Sequence, residues 1–293
     1  MRLERMTSAD GVVFYASPIL RCAGVPHAFS TRIGGVSGGP FASLNLGNPA
    51  GPVQDDLANI QENHRRLLTA AGLADRRLWR VRQVHGTEVV SVNGGHGACD
   101  AGEADGLITL DPQCAVSVRV ADCVPVLLAT ADGGLVAAVH AGWRGVVGGI
   151  VGEAVRRLRD EAGRAKARTR GAQDRLGADS PSGGCRPSLQ LLAAVGPSIG
   201  MGAFEVGPEV LAEFVRLFGG DAPIQRNGNG KGHVDLKEAI RRQLLAAGVA
   251  EDRIDVSDQC TFEHAEEFFS HRRERGVTGR MAAVIGVGPQ DEG

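Results

Sequence analysis

The sequence predicts an α/β fold, a single domain over 1–293 with a mixed sheet core flanked by helices, and three observations predict it. Short apolar runs bounded by turn residues crowd the middle of the chain (LIT, AVSVRVADC, VPVLLAT, LVAAVHAGW) and read as buried strands. Segments with apolar residues at helical spacing lie around them. The one linker-like stretch falls between strands, so strands from both halves of the chain share a core.

Elements follow in order. From Val12 to about Leu46 the chain reads as short strands and loops, including the glycine-rich run from Phe29 to Gly47. A helix is predicted from Asp56 to Ala71, with Leu57, Ile60, His64, Leu67, Leu68 and Ala71 on one face and Gly72 as its stop. LWRVRQVHG alternates as a strand that puts Trp79, Val81, Gln83 and His85 on one face. Gly86 breaks it before a second strand from Glu88 to Val92, and GGHGACDAGEADG reads as loop. After the central strands, GVVGGIVGEAVRRL is one helix, with Val146, Val147, Ile150, Val151, Ala154, Val155 and Leu158 on its apolar stripe. Between Gly163 and Arg186 the only large apolar residue is Leu176, so this segment is expected to be a mobile surface loop. LQLLAAVGPSIG resumes as strand and turn. Helices follow from Pro208 to Gly219 and from Asp235 to Ala247, the second with Asp235 and Glu238 spaced as a capping box and Gly248 at its end. A loop and a last apolar strand close the chain, and no internal repeat is visible.

Composition excludes several classes of function. Of 293 residues, 43% are apolar and 23% charged, ordinary for a globular protein. Basic residues number 32 against 34 acidic ones, so no global field recruits nucleic acid or an anionic membrane. MRLERMTSAD lacks the apolar core of a signal peptide, and no apolar run reaches the 18 residues a membrane span needs. A soluble, cytoplasmic chain with no obligate protein partner is the expectation. The six cysteines (Cys22, Cys99, Cys114, Cys123, Cys185, Cys260) are scattered without a C-x-x-C pair and read as free thiols. Any metal site must be assembled from distant parts of the chain.

The sharpest clue lies between Cys123 and His140. The turn ADGG separates VPVLLAT from LVAAV, a strong hairpin signal. Pairing Ala129 with Gly134 sets Cys123 directly opposite His140; pairing Thr130 with Leu135 makes them diagonal neighbours on one face. A register between these two would put them on opposite faces. A thiolate and an imidazole supply two ligands to one ion, and His85, at the end of the strand face begun by Trp79, is the best third. The same spacing also fits Cys123 as a small core residue and the histidines as hydrogen-bonded strand ends. His140 runs into AGWRG and a helix start, where Arg144 and backbone N–H groups offer an anion pocket, or only a glycine turn with an exposed arginine. Arg32 and Asn45 lie in a similar glycine-rich loop. Asp122 is a candidate for proton transfer or for supporting Cys123, although regular alternation turns it away from that neighbour. His96 and Cys99 read as solvent-exposed, His64 as a satisfied core histidine, and Arg272, Arg273, Arg275 and Arg280 as a solvated charged loop.

HAFSTRIGGVSGGPFASLNLG, RQVHG, EADGLIT, VADCVPVLLA, VHAGWRG, GPSIG…FEVG and FFSHRR…TGR appear in that order from about Val25 to Val287. Together they resemble the bacterial laccase-domain family, whose members have been named polyphenol oxidase, purine nucleoside phosphorylase and peptidoglycan editing factor. The resemblance implies a single α/β domain and a zinc site from His85, Cys123 and His140, with substrate contacts from Arg32 and Asn45. It further implies phosphorolysis of adenosine, inosine and methylthioadenosine, with adenosine deamination as a second activity; purine nucleoside and phosphate are then the partners. Many relatives carry cysteines before EVG where this chain reads GMGAFEVG, so any role resting on them is lost here.

Three functions compete. Zinc-dependent nucleoside chemistry leads, with His85, Cys123, His140 and Asp122 as the catalytic set and Arg32, Asn45 and Arg144 on the substrate. An amidase that removes a misplaced serine from a UDP-muramyl precursor is the runner-up, using zinc or a Cys123 nucleophile with His140 as base. A non-catalytic, metal-stabilised scaffold is the third. Copper is the less favoured metal, because a multicopper centre needs many histidines, typically paired as H-x-H, and none of the eight here is so paired.

Overall fold

A computed structural model describes residues 2–94, 100–174 and 189–289. In chain order its elements are β1 (Glu4–Thr7), β2 (Val13–Ala16), α1 (Pro18–Cys22), β3 (His27–Ser30), α2 (Leu57–Ala70), β4 (Arg77–Arg82) and β5 (Val89–Ser91). There follow β6 (Asp100–Glu103), β7 (Gly106–Thr109), β8 (Cys114–Val120), β9 (Val124–Thr130), β10 (Val136–Ala141), α3 (Trp143–Gly148) and α4 (Ile150–Asp174). The remainder comprises β11 (Leu191–Val195), β12 (Glu205–Val206), α5 (Pro208–Phe218), β13 (Ile224–Arg226), β14 (Gly232–Val234), α6 (Leu236–Ala246), β15 (Ile254–Val256) and β16 (Met281–Gly286).

Two large mixed sheets form the centre. One runs β1-β2-β3-β16-β8-β4-β6, the other β15-β11-β9-β10-β7-β5, and β12-β14-β13 form a small third sheet. The central strands are buried on both faces, which is why they read as continuous apolar runs rather than clean alternations. Val116, Val118 and Val120 of β8 meet Leu127, Ala129, Val136 and Ala138 of β9 and β10 in a core between the two sheets. Val124, Val126, Leu128, Ala137 and Val139 point the other way, onto Ile150, Val155, Phe214 and Ile240 of α4, α5 and α6. On the far side of the larger sheet, Leu67 of α2 packs with Phe14, Ala115, Ala282 and Val284. Helix, sheet, sheet, helices is the order of layers. Each buried Leu, Ile or Phe contributes about 1.5–3 kcal/mol to it.

Local signals explain the boundaries. Asp56 caps α2 by accepting from Ala58 N, and Gly72 follows the helix at φ 71°. Asp235 accepts from Glu238 N at the start of α6, but Glu238 does not return the bond; its carboxylate pairs with Arg241 and Arg242 instead. The capping box is therefore half formed.

Three expectations need correction. The predicted helix through GVVGGIVGEAVRRL is two helices, because Gly149 takes the left-handed conformation (φ 83°, ψ 28°) between α3 and α4. The expected loop at 163–186 is helical as far as Asp174, since alanine, arginine and lysine have high helix propensity; 175–186 lie outside the described residues. The expected loop before EADG contains β6, which pairs parallel with β4, while His96 and Cys99 fall outside the described residues. Among the described residues no helix is long and apolar enough to cross a membrane, and Cys22, Cys114, Cys123 and Cys260 are free thiols.

Candidate metal centre

The β9–β10 hairpin places the first two candidate ligands. Gly133 (φ 68°) turns the chain, Asp132 accepts from Gly134 N and Thr130 Oγ1, and Thr130 N donates to Leu135 O. Val136 then opposes Ala129 and His140 opposes Pro125. This is the register that makes Cys123 and His140 diagonal neighbours. His140 shares a face with Val136 and Ala138, so it points into the layer between the sheets.

His85 arrives differently from its predicted strand face. β4 stops at Arg82, and Gln83 continues its ladder through side-chain bonds to Arg119 N and O. Val84, His85 and Gly86 then turn sharply, with His85 at φ 60°. One buried carboxylate makes that turn: Asp105 accepts from His85 N (3.0 Å) on Oδ1 and from Val84 N (3.2 Å) and Gly86 N (2.6 Å) on Oδ2. The same Oδ1 accepts from His140 Nδ1 at 2.7 Å, and Asp105 O accepts from His140 N at 2.7 Å. His140 is thereby held with Nε2 free to bind. Sequence reasoning missed Asp105; its signal was an acidic residue directly before the apolar run GLIT.

The result is a cluster. Single ligand atoms of His85, Cys123 and His140 lie within 4.8 Å of one another, and the two imidazole rings sit 4.9 Å apart at 78°. His140 is buried, Cys123 half-buried and His85 exposed, so the cluster opens on the His85 side. Gly142 is the other residue that sequence reasoning passed over. A Cβ there would come within 2.9 Å of His85 Cδ2 and 3.2 Å of Cys123 Sγ, which reserves the position for glycine. Burial alone would push the Cys123 thiol up, but His140 and His85 outweigh it and hold the thiol at about 6. Burial likewise opposes charge on His140, yet Cys123 and Asp105 raise it to about 9. A thiolate poised between two imidazoles, with a carboxylate orienting one of them, is the donor set of a His₂Cys metal site.

The other candidates sit around it. Asp122 takes φ 87°, so strand alternation does not apply; its carboxylate accepts from Thr261 Oγ1 (2.7 Å), Ser270 Oγ (3.0 Å) and Arg272 N (2.7 Å). Arg32 lies 4.5 Å over the Phe269 ring and donates from Nε to Ala42 O and from Nη1 to Ala265 O, leaving Nη2 without a partner among the described residues. Asn45 is fully buried, donating to Asp55 and accepting from Gly47 N and Arg280 N, so it braces the loop rather than facing a ligand. Arg144 is exposed and stacks 4.4 Å over Trp143; the helix starts at Trp143, ahead of Gly145. His64 is buried on Leu46 O, as expected of a core histidine.

The family model described as multi-copper polyphenol oxidoreductase laccase matches residues 26–172 and 181–288. The chain belongs to that family. Within it, the chain is 39% identical over 278 residues to a purine nucleoside phosphorylase of Deinococcus radiodurans, covering 94% of this chain and 95% of the relative. It is 36% identical to purine nucleoside phosphorylase YfiH of Escherichia coli over 89% of this chain and 93% of that one. The crystal structure of YlmD from Geobacillus stearothermophilus superposes with a TM-score of 0.77 at 32% identity, covering 97% and 99% of the two chains. The mixed α/β architecture is thus the family's fold. Its copper-based name contrasts with the site: among the described residues His85, Cys123 and His140 are the one cluster of three or more histidine, cysteine or acidic side chains able to hold an ion.

Proposed function

We propose that this protein is a zinc-dependent purine nucleoside phosphorylase acting on adenosine, inosine and methylthioadenosine, with adenosine deamination as a side activity. The observation that carries the reading is the convergence of His85, Cys123 and His140 in a chain whose relatives bear that name over nearly its whole length. Two imidazoles and a thiolate suit zinc, with copper the less favoured occupant. A bound ion supplies Lewis acidity beside the substrate.

The chain's own residues supply the rest. His140 is fixed by Asp105, Cys123 is held by the turn at Asp122, and exposed His85 marks the side from which substrate enters. Asp122 acts through position rather than proton transfer, because Thr261, Ser270 and Arg272 occupy its oxygens. Arg32, with Nη2 uncommitted, and Arg144 hold phosphate for attack at the anomeric carbon of the ribosyl group. A phosphate oxygen bonds to that carbon as the glycosidic bond breaks, and the purine leaves with the electron pair and takes up a proton. Free thiols suit a reducing cytoplasm.

The test combines metal analysis with turnover. Purified protein should contain about one zinc per chain, and Cys123→Ala should lose it, because a three-ligand site tolerates no missing thiolate. Inosine should yield hypoxanthine only when phosphate is present, and Arg32→Ala should raise the KM for phosphate at least about tenfold. Serine released from a UDP-muramyl precursor faster than any nucleoside turnover would replace this reading with the amidase.

A further inference from the structure

Three arginines share one face of the seven-stranded sheet, Arg119 on β8, Arg80 on the neighbouring β4 and Arg280 just before β16 on the other side. In β8, Ala115, Ser117 and Arg119 alternate toward α2, with Ala115 packed in the α2 core. Ala282 of β16 pairs with Arg119 and packs in that same core, which sets Arg280 on this face one step beyond the strand. In β4, Leu78 packs toward α2 and Trp79 toward the other sheet, so Arg80 follows Leu78. Each of the three is partly buried.

Among the described residues no carboxylate pairs with them, and the Arg119 guanidinium has no hydrogen-bond partner. Arg280 donates from Nη1 to the carbonyls of Thr278 and Gly279, which carry no full charge. Arg80 Nη1 lies 3.5 Å from His64 Nε2, but that nitrogen donates to Leu46 O and offers Arg80 no lone pair. The opposing charges lie beyond ion-pair reach: exposed Asp100 of β6 acts on Arg119, and Asp122 and Cys123 act on Arg280 from the strand end. Burial first, then Arg80 and Arg280, hold Arg119 below its usual value. Two further details suit a guest: Ser117 Oγ, on the same face, is buried without a partner, and a Cβ on Gly47 would fall 2.8 Å from Arg119 Nη1. A cleft of about 410 Å³ opens beside Arg80, between α2 and β4, walled by Leu57, Ile60, His64, Arg65 and Leu78.

We propose that Arg80, Arg119 and Arg280 form a binding site for a phosphate-type oxyanion, on the α2 side of the sheet and separate from the Arg32 and Arg144 contacts. Unpaired guanidinium groups gathered by the backbone repel one another, and a multiply charged oxyanion with several acceptor lone pairs removes that repulsion. The guest is either the free ion or the phosphate of a nucleoside monophosphate whose base enters the cleft. This site does not depend on the nucleoside reaction proposed above.

Calorimetric titration of the full-length protein at constant ionic strength tests it, with inorganic phosphate and AMP as the probes. In an Arg32→Ala background, which removes the phosphate contact proposed above, binding should persist and should weaken at least about tenfold when either Arg119→Met or Arg80→Met is added. Tighter binding of AMP than of phosphate assigns the site to a nucleotide, and equal binding assigns it to the free ion; each supports the cluster. Affinity unchanged in both arginine-to-methionine variants, binding removed only by Arg32→Ala, or no binding of either probe overturns the proposal. Nucleoside turnover, measured on the same preparations, reports separately on the reading above.

Discussion

One carboxylate organises the candidate metal centre from beneath. Asp105 holds the His85 turn by three backbone bonds and the His140 ring by a fourth, so both imidazole ligands answer to a single side chain. Replacing it by asparagine keeps the shape but removes the charge and puts an N–H where an acceptor is needed. Asp105→Asn should weaken zinc binding about 10- to 100-fold, read by competition with a chromophoric chelator. Affinity within a factor of two of wild type would mean that the sheets alone fix the ligands. At this scale the sequence was legible where residue type and spacing agreed. Cys123 and His140 stood in a hairpin of which two of the three registers put them on one face, and the structure adopts one of those two. His85 was legible only as a ligand type, because its place depends on a positive φ (60°) imposed by Asp105 from twenty residues away.

Helices and strands were legible where their own sequence supplies the signal. Asp56 and Gly72 bound α2, Pro208 and Gly219 bracket α5, and Asp235 starts α6. The errors came from glycine and from composition. Gly148 and Gly149 sit inside an unbroken apolar stripe, so periodicity carries across the break that Gly149 makes. That break is testable by itself. A Cβ at Gly149 meets nothing within 4 Å, so Gly149→Ala costs only its left-handed backbone, about 1 kcal/mol. The melting temperature should fall by roughly 2–4 °C with zinc content unchanged. A rise would mean that α3 and α4 straighten into one helix. The extension of α4 to Asp174 shows the opposite failure: low apolarity is not loss of helix.

Across the whole molecule, two histidines are buried uncharged on opposite sides of the larger sheet. Burial, the dominant cause, lowers His27 to about 4, while its Nε2 accepts from Ser17 N. Burial also lowers His64 to about 3. Both have unfolded values near 6.5, so below that pH the unfolded chain takes up protons the folded one refuses. Their share of stability is complete above pH 6.5 and is lost as pH falls toward about 4 and about 3. Each accounts for about 1.4 kcal/mol per pH unit inside its window. Urea midpoints between pH 7 and pH 5, above most carboxylate titration, should fall steadily, and His64→Gln should flatten the slope; a level wild-type profile would refute it. The layering was legible as far as a mixed sheet between helices. That the sheets are two was not, because a strand buried on both faces looks the same whether helix or sheet covers it. The segment from Thr261 to Arg273 has little regular structure; Asp122 secures it from the strand side, and Arg273 secures it internally through the carbonyls of Thr261, Phe262 and Phe268. Such a segment should open locally, exchanging its amide hydrogens for deuterium ahead of the sheets. Since Asp122 precedes Cys123 in the chain, zinc loading should slow exchange at Arg272 N, whose bond goes to Asp122, and leave the interior of α6 unaffected. The occupancy of the metal centre would then be recorded in the isotope uptake of a loop that supplies none of its ligands.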